Sequence, residues 1–330
     1  MTRIVSGLAV SHSPLLALGA AQWIHRAKVD YENPALTLSD GRALSYPQLL
    51  AEVGPRYTDD VQLSVLQAKE AACNAALDRL AAHLDEVNPD VVIIVGDDQA
   101  ELFDSGNQPA FAIFHGSPAL TLDKLQKPDV PDWERSVRQA YMQDQVRPLT
   151  TEPAFALRLI EGLVDAGVDV ATCDRVDEPL KRGFGHAYGF VVKRLLRERP
   201  VPIVPVLLNT YFPPNVPTAA RCFDVGQAMR QVIEAMPGEQ RVAVVASGGL
   251  SHFVVDEALD RLVLQALKTK DHAALRAIPR HALLAGSSEI LNWVMVAGIV
   301  DGLQVQSAEY LPLRRTPAGT GVGAGFVHWG

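Results

Sequence analysis

The chain has 330 residues, a formal net charge of −8, 48% hydrophobic residues and 6% aromatic residues. The acidic balance argues against nucleic acid as the main partner, because phosphate binding needs a basic face, and no apolar run reaches membrane-spanning length. The start MTRIVSGLAVSHSP lacks the layout of a signal peptide, and three scattered cysteines (Cys73, Cys173, Cys222) form neither a disulfide framework nor a CxxC metal motif. The expectation is a reduced cytoplasmic protein with core enough for one large α/β domain or two smaller ones.

Arg3–Val10 is apolar and reads as a strand running into Ser11-His12-Ser13-Pro14, where Pro14 ends it. His12 is a ligand candidate at the end of a buried strand. Residues 20–58 carry turn signals at Asn33-Pro34, Ser39-Asp40-Gly41 and Gly54-Pro55. They read as an irregular excursion with a small hairpin about Ser39–Arg42, covering a site or making a subunit contact. Asp59–Val87 has helical periodicity, and Val91–Val95 (VVIIV) is a fully buried strand ending in Gly96-Asp97-Asp98-Gln99-Ala100-Glu101. That acidic strand-end suits either a cation or a solvated loop.

Ala110–Phe114 is a short strand followed by His115, and a helix is expected near Trp133–Met142. Phe155–Ala166 reads as a helix and Val168–Ala171 as a strand. His186 then opens a helix through Leu196, where the helix dipole should lower its pKa and suit it to act as a neutral base. Val201–Leu208 reads as a strand whose prolines predict an edge or bulged position. Thr218–Met236 is a helix. Val242–Asp260 (VAVVASGGLSHFVVDEALD) is a buried strand, a turn at Gly248-Gly249 holding Ser251 and His252, and a helix opening at Asp256-Glu257. Lys270–Ile278 and Ser287–Ala297 are helical, Val305–Leu313 is a strand, and the glycine-rich tail reads as a closely packed strand, not a phosphate loop.

Four polar strand-ends therefore stand out: His12, Asp97–Glu101, His186 and Ser247–Glu257. Ligands of open α/β sheets bind at such ends, and two imidazoles with one carboxylate can hold non-heme Fe(II) with open positions.

Ser11-His12-Ser13-Pro14, Asp97-Asp98-Gln99, the loop before His186 and Ser247-Gly248-Gly249-Leu250-Ser251-His252 together resemble the class III extradiol ring-cleavage dioxygenases. Tyr211-Phe212-Pro213-Pro214 through Cys222, and Gly286-Ser287-Ser288-Glu289, are similar as well. The resemblance implies a single α/β domain with a mostly parallel central sheet flanked by helices. It also implies an Fe(II) site that opens a catecholic ring with O2, and a homo-oligomer (a dimer) or a pairing with a homologous subunit. Carried over, His12 and Glu257 are metal ligands, His186 is the acid/base that takes and returns the substrate proton, and His252 orients substrate. Gln99 stands where the family has a ligand histidine. Three readings follow: Gln99 ligates through its side-chain oxygen, His115 replaces it, or the protein is a non-catalytic or regulatory subunit of the same fold; a hydrolase using a harder ion is a further reading.

Overall fold

The computed structural model describes residues 1–126 and 129–330. Eight strands form one sheet: β1 (Arg3–Val10), β2 (Val91–Asp97), β3 (Phe111–Phe114), β4 (Ala171–Cys173), β5 (Ile203–Leu208), β6 (Arg241–Ser247), β7 (Val305–Arg314) and β8 (Gly321–Trp329). Their spatial order is β7-β8-β1-β6-β2-β5-β3-β4. The central four, β1, β6, β2 and β5, are mutually parallel. The chain is thus a single α/β unit with a large, mostly parallel central sheet flanked by helices.

The continuous apolar runs follow from burial on both faces. Val91, Ile93, Val95, Val242 and Val244 join one core with helices Pro153–Asp165, Ala219–Ala235 and Ile290–Ile299. Val92, Ile94, Ala243 and Val245 join the opposite core with helix Leu63–Val87 and the His186–Leu195 segment. Each fully buried aliphatic side chain contributes about 1.5–3 kcal/mol, so these alternating valines and isoleucines hold both helical layers to the sheet.

Two expectations are corrected. β5 is neither an edge nor a bulge: it lies between β2 and β3 with all six residues buried. Pro205 fits there because it falls between the Thr151–Ile203 bridge and the β3 pairing that begins at Val206. No neighbour on that side requires its missing N–H. Residues 20–58 are also more regular than their turn signals suggested. The expected hairpin forms, Leu36–Thr37 with Ala43–Leu44, but it lies between two helices, Trp23–Tyr31 and Tyr46–Val53, the second opened by a Ser45–Gln48 capping box. The strand expected at 168–171 is Ala171–Cys173.

Candidate active site

The parallel register aligns the strand ends. Val10 pairs with Ser247, Ser247 with Gly96, and Asp97 with Leu208. Whatever follows these residues therefore gathers at one carboxyl edge. His12 follows β1, Asp97 closes β2, Tyr211 follows β5, and Gly248–His252 follow β6.

A second element completes the edge. Helix Ile290–Ile299 is buried at all ten positions, and Glu289 precedes it. On the face it turns to the strand ends, Glu289 Oε2 accepts from Gly249 N (2.6 Å), Asn292 Nδ2 donates to Ser247 O (2.9 Å), and Trp293 Nε1 donates to Gly248 O (2.8 Å). The 289, 292, 293 spacing is one helix face, and it fixes the Gly248-Gly249 turn from below.

One ligand atom each from His12, Asp97, His186 and Glu289 lies within 4.8 Å of the other three, and all four residues are buried. His12 Nε2 faces Glu289 Oε2 at 3.2 Å, and His186 Nε2 faces Asp97 Oδ2 at 3.7 Å. The two rings meet edge to face, with centroids 4.5 Å apart.

Their tautomers are set from behind. The Ser247 hydroxyl gives its proton to Ala187 O (2.7 Å), so at 3.0 Å it accepts from His12 Nδ1 and leaves Nε2 for the cluster. His186 Nδ1 donates to Glu101 Oε2 (2.9 Å), and Glu101 is held in turn by Gln143 (2.7 Å) and Lys124. This carboxylate–imidazole pair is the usual support behind a metal-ligating histidine. The pair also requires Gly185, since a Cβ there would lie 1.4 Å from Glu101 Oε2.

The electrostatics correct one expectation. Burial disfavours the His186 imidazolium, but Glu101 and Asp97 outweigh it and raise the pKa to about 9. Helix His186–Phe190 is only five residues long, so its dipole does not prevail. Burial, reinforced by the Glu289 charge, pushes Asp97 up. Glu289 is also buried, but the neighbouring His252 and His12 draw its carboxyl well below the usual range.

Residues assigned in the sequence separate into two groups. His12, His186, His252 and Gln99 meet at one cavity of about 320 Å³. Glu257 does not reach it. It sits in the first turn of helix Glu257–Thr269, bound to Arg314 and, at 2.9 Å, to Arg261. The connection from Gly248 to the Asp256 N-cap carries that helix start away from the strand end, and the carboxylates grouped with His12 and His186 are those of Asp97 and Glu289. His115 also lies outside the cavity lining, with its backbone N–H bonded to Cys173 O (2.9 Å).

Gln99 Nε2 lies 3.0 Å from Asp97 Oδ2 and 3.3 Å from both His186 Nε2 and Glu289 Oε1, so the amide spans three cluster members. His252 Nδ1 donates to Leu250 O (2.8 Å), which turns Nε2 toward Glu289 Oε1 at 3.2 Å. Burial would lower the His252 pKa, but the Glu289 charge raises it. Tyr211 donates its hydroxyl to Glu289 Oε1 (2.6 Å), and Tyr141 donates to the His12 carbonyl.

Glu289 and Tyr211 stand in segments quoted for the resemblance, but neither they nor Tyr141 carry a site role in the sequence reading. For Glu289 a signal existed, because an acid directly preceding a helix that is apolar at nearly every position is carried into the interior with it.

The set fits a divalent cation. His12 Nε2 is buried without a hydrogen bond. Among the described residues the Asp97 and Glu289 carboxylates have only histidines, and no lysine or arginine, as ion-pair partners. Two buried carboxylates without a fixed cation are costly unless an ion neutralises them. Two imidazoles with two carboxylates suit Fe(II) or a similar first-row ion.

No helix among the described residues is long and apolar enough to cross a membrane. A gallate dioxygenase of Pseudomonas putida is 32% identical over 136 residues, which are 37% of this chain and 38% of that protein, so the match spans well under half of that relative's length. Residues 47–324 match the family model described as the catalytic LigB subunit of aromatic ring-opening dioxygenase. The match covers most of the chain, from before β2 into β8 and across Asp97, His186, His252 and Glu289, and the protein belongs to that family of aromatic ring-opening dioxygenases.

Proposed function

We propose that the protein is an Fe(II)-dependent extradiol dioxygenase acting on a catecholic ring. The observation that carries this reading is the buried convergence of His12, Asp97, His186 and Glu289, of which His12, His186 and Glu289 line a cavity of about 320 Å³, in a chain of the ring-opening family. That volume suits a single substituted ring. In the reaction both atoms of O2 enter the product, and the ring C–C bond beside the diol breaks.

His12, His186, Asp97 and Glu289 would hold the ion, which supplies electron transfer between the electron-rich ring and O2. Gln99 has its amide among the same donors and, turned end for end, offers Oε1 from the same place. This reading moves the acid/base role that the resemblance gave to His186 onto His252. His186, anchored by Glu101, acts as a donor. His252, with Nδ1 committed to a carbonyl and Nε2 lining the cavity, takes a proton from a substrate hydroxyl and returns it later. Tyr211 steadies the carboxylate between them. Val137, Tyr141, Phe253 and Val322 give the cavity apolar walls that exclude bulk water.

The test is metal content by mass spectrometry after anaerobic Fe(II) loading and desalting, followed by oxygen uptake with a panel of catechols. Retained iron with stoichiometric O2 consumption and the ring-opened semialdehyde chromophore is expected. A protein that retains no iron and consumes no O2 with any diol would instead be a non-catalytic member of the fold, for which Gln99 in place of a histidine is the favouring feature.

A further inference from the structure

We infer that Arg26 is a specificity-determining residue, its guanidinium binding a carboxylate carried by the aromatic ring. The inference rests on the ring-opening reading and adds to it a residue from outside the 47–324 family match.

Four cationic side chains line the cavity: Arg26, Lys124, Arg138 and Arg315. Three are committed to protein carboxylates. Lys124 binds Glu101, and Arg138 Nη2 binds Glu134 at 2.8 Å. Arg315 holds both oxygens of the buried Asp30, through Nε at 2.5 Å and Nη2 at 2.9 Å, and Thr320 closes on the same carboxylate. Arg26 differs. Among the described residues no carboxylate lies within 4.0 Å of it, and its Nε is buried without a hydrogen bond. Its aromatic neighbour is Trp133, whose ring centre lies 5.9 Å from Cζ, at the outer limit of a useful cation–π contact.

Arg26 is half-buried, and a guanidinium Nε sealed from solvent without a hydrogen bond is a costly arrangement. Burial and the nearby Arg315 charge depress its pKa, the direction expected of a cation short of counter-charge. The donor cluster at the cavity floor takes the diol, and the same cavity leaves Arg26 free for an anionic group elsewhere on the ring. A planar guanidinium matches a carboxylate with two parallel N–H···O bonds. Helix Trp23–Tyr31 thus contributes recognition to a reaction centre assembled by the rest of the chain.

The experiment compares catechol with 3,4-dihydroxybenzoate on the Fe(II)-loaded wild type, Arg26→Gln and Arg26→Lys. Arg26→Gln is expected to lower the ratio of kcat/KM for the benzoate over that for catechol by roughly tenfold to a hundredfold, chiefly through KM, and Arg26→Lys to recover part of it. Calorimetric titration of 3,4-dihydroxybenzoate, run on the same proteins under anaerobic conditions, is expected to show the same ranking of affinity. Thermal unfolding of Arg26→Gln is expected at or above the wild-type temperature, since an unpaired cation is removed. A ratio within twofold of wild type, or a clear drop in unfolding temperature marking Arg26 as structural, would overturn the proposal. If the wild type opens neither ring, the ring-opening reading fails; the titration then decides Arg26 alone, and equal affinities in wild type and Arg26→Gln would reject it.

Discussion

The Glu289 carboxylate joins two histidines: its Oε1 lies 3.2 Å from Nε2 of His252, and its Oε2 lies 3.2 Å from Nε2 of His12. One side chain at the start of a buried helix thus links the ends of β1 and β6. Glu257, which belongs to the same β6 connection in sequence, is instead tied to Arg314 and Arg261.

These placements make opposite predictions for two conservative changes. Glu289→Gln removes a carboxylate from the donor set and is expected to abolish iron retention after desalting. Glu257→Gln is expected to leave iron retention intact and to cost at most about 1 kcal/mol through a partly exposed ion pair. Metal analysis and thermal melts of both variants check this, and loss of iron in Glu257→Gln alone would reverse the assignment.

His252 and His186 should separate in the same way. His252→Asn is expected to keep its iron and to lose roughly 10²–10⁴-fold in kcat, the usual range for a general acid/base. His186→Ala is expected to lose the metal. Measuring iron stoichiometry beside kcat distinguishes the two roles, and a His252→Asn enzyme of wild-type rate would remove that histidine from proton transfer.

Support behind the site can be tested at Glu101, whose Oε2 accepts from His186 Nδ1 at 2.9 Å. Glu101→Gln is nearly isosteric but loses the charge that favours this ring orientation. Iron affinity should fall by about 10–100-fold, read by competition with a chelator. Unchanged affinity would show that the imidazole needs no anchor.

Gly286 faces the His252 ring, and a Cβ there would lie 1.9 Å from Cδ2. Gly286→Ala is therefore expected to push the ring from its place beside Glu289 and to lower kcat more than it lowers the unfolding temperature. The reverse ranking, a large loss of stability with normal turnover of the folded fraction, would count against ring displacement.

Away from the site, the His83 and His328 rings meet tilted by 45° with centroids 3.6 Å apart, and His83 Nε2 meets Ser6 Oγ at 3.0 Å. Burial, with the charge of His83 against it, depresses His328 from 6.5 to about 4, and burial likewise lowers His83. Because the folded values lie below the unfolded one, the unfolded chain takes up these protons first. The stabilising contribution is present above the unfolded pKa and is lost as pH falls toward the folded values. The unfolding temperature should drop between pH of about 7 and about 5, and His328→Gln should reduce that drop. An equal drop in the variant would assign the pH response to other groups.

Much of this molecule is determined locally. VVIIV and VAVVA have no polar face, so burial on both sides follows from composition, and β2 and β6 were legible as buried strands. Prolines, glycine pairs and the changes from apolar run to polar strand-end marked where chains turn. Those marks are why His12, Asp97, Gln99, His186 and His252 were all identified as lying near the carboxyl edge. The SHSP and GGLSH elements then carried the family resemblance.

What tertiary structure alone decided is which of these neighbours share a point in space. Pro205 reads as an edge residue until the gap in its neighbour's pairing is seen. Glu257 and Glu289 are both acids at helix starts, and local propensity ranks them alike. Only the path of the β6 connection and the packing of helix Ile290–Ile299 carry one to Arg314 and Arg261 and the other into the cluster. His186 shows the same limit: its helix position predicts a lowered pKa, while a carboxylate 85 positions away in sequence raises it. Sequence determines the character of each element because hydrophobic periodicity and turn chemistry are local. Which donors converge on one point, and the charges that tune them, depend on contacts between distant segments, which form only when the sheet register brings the strand ends together.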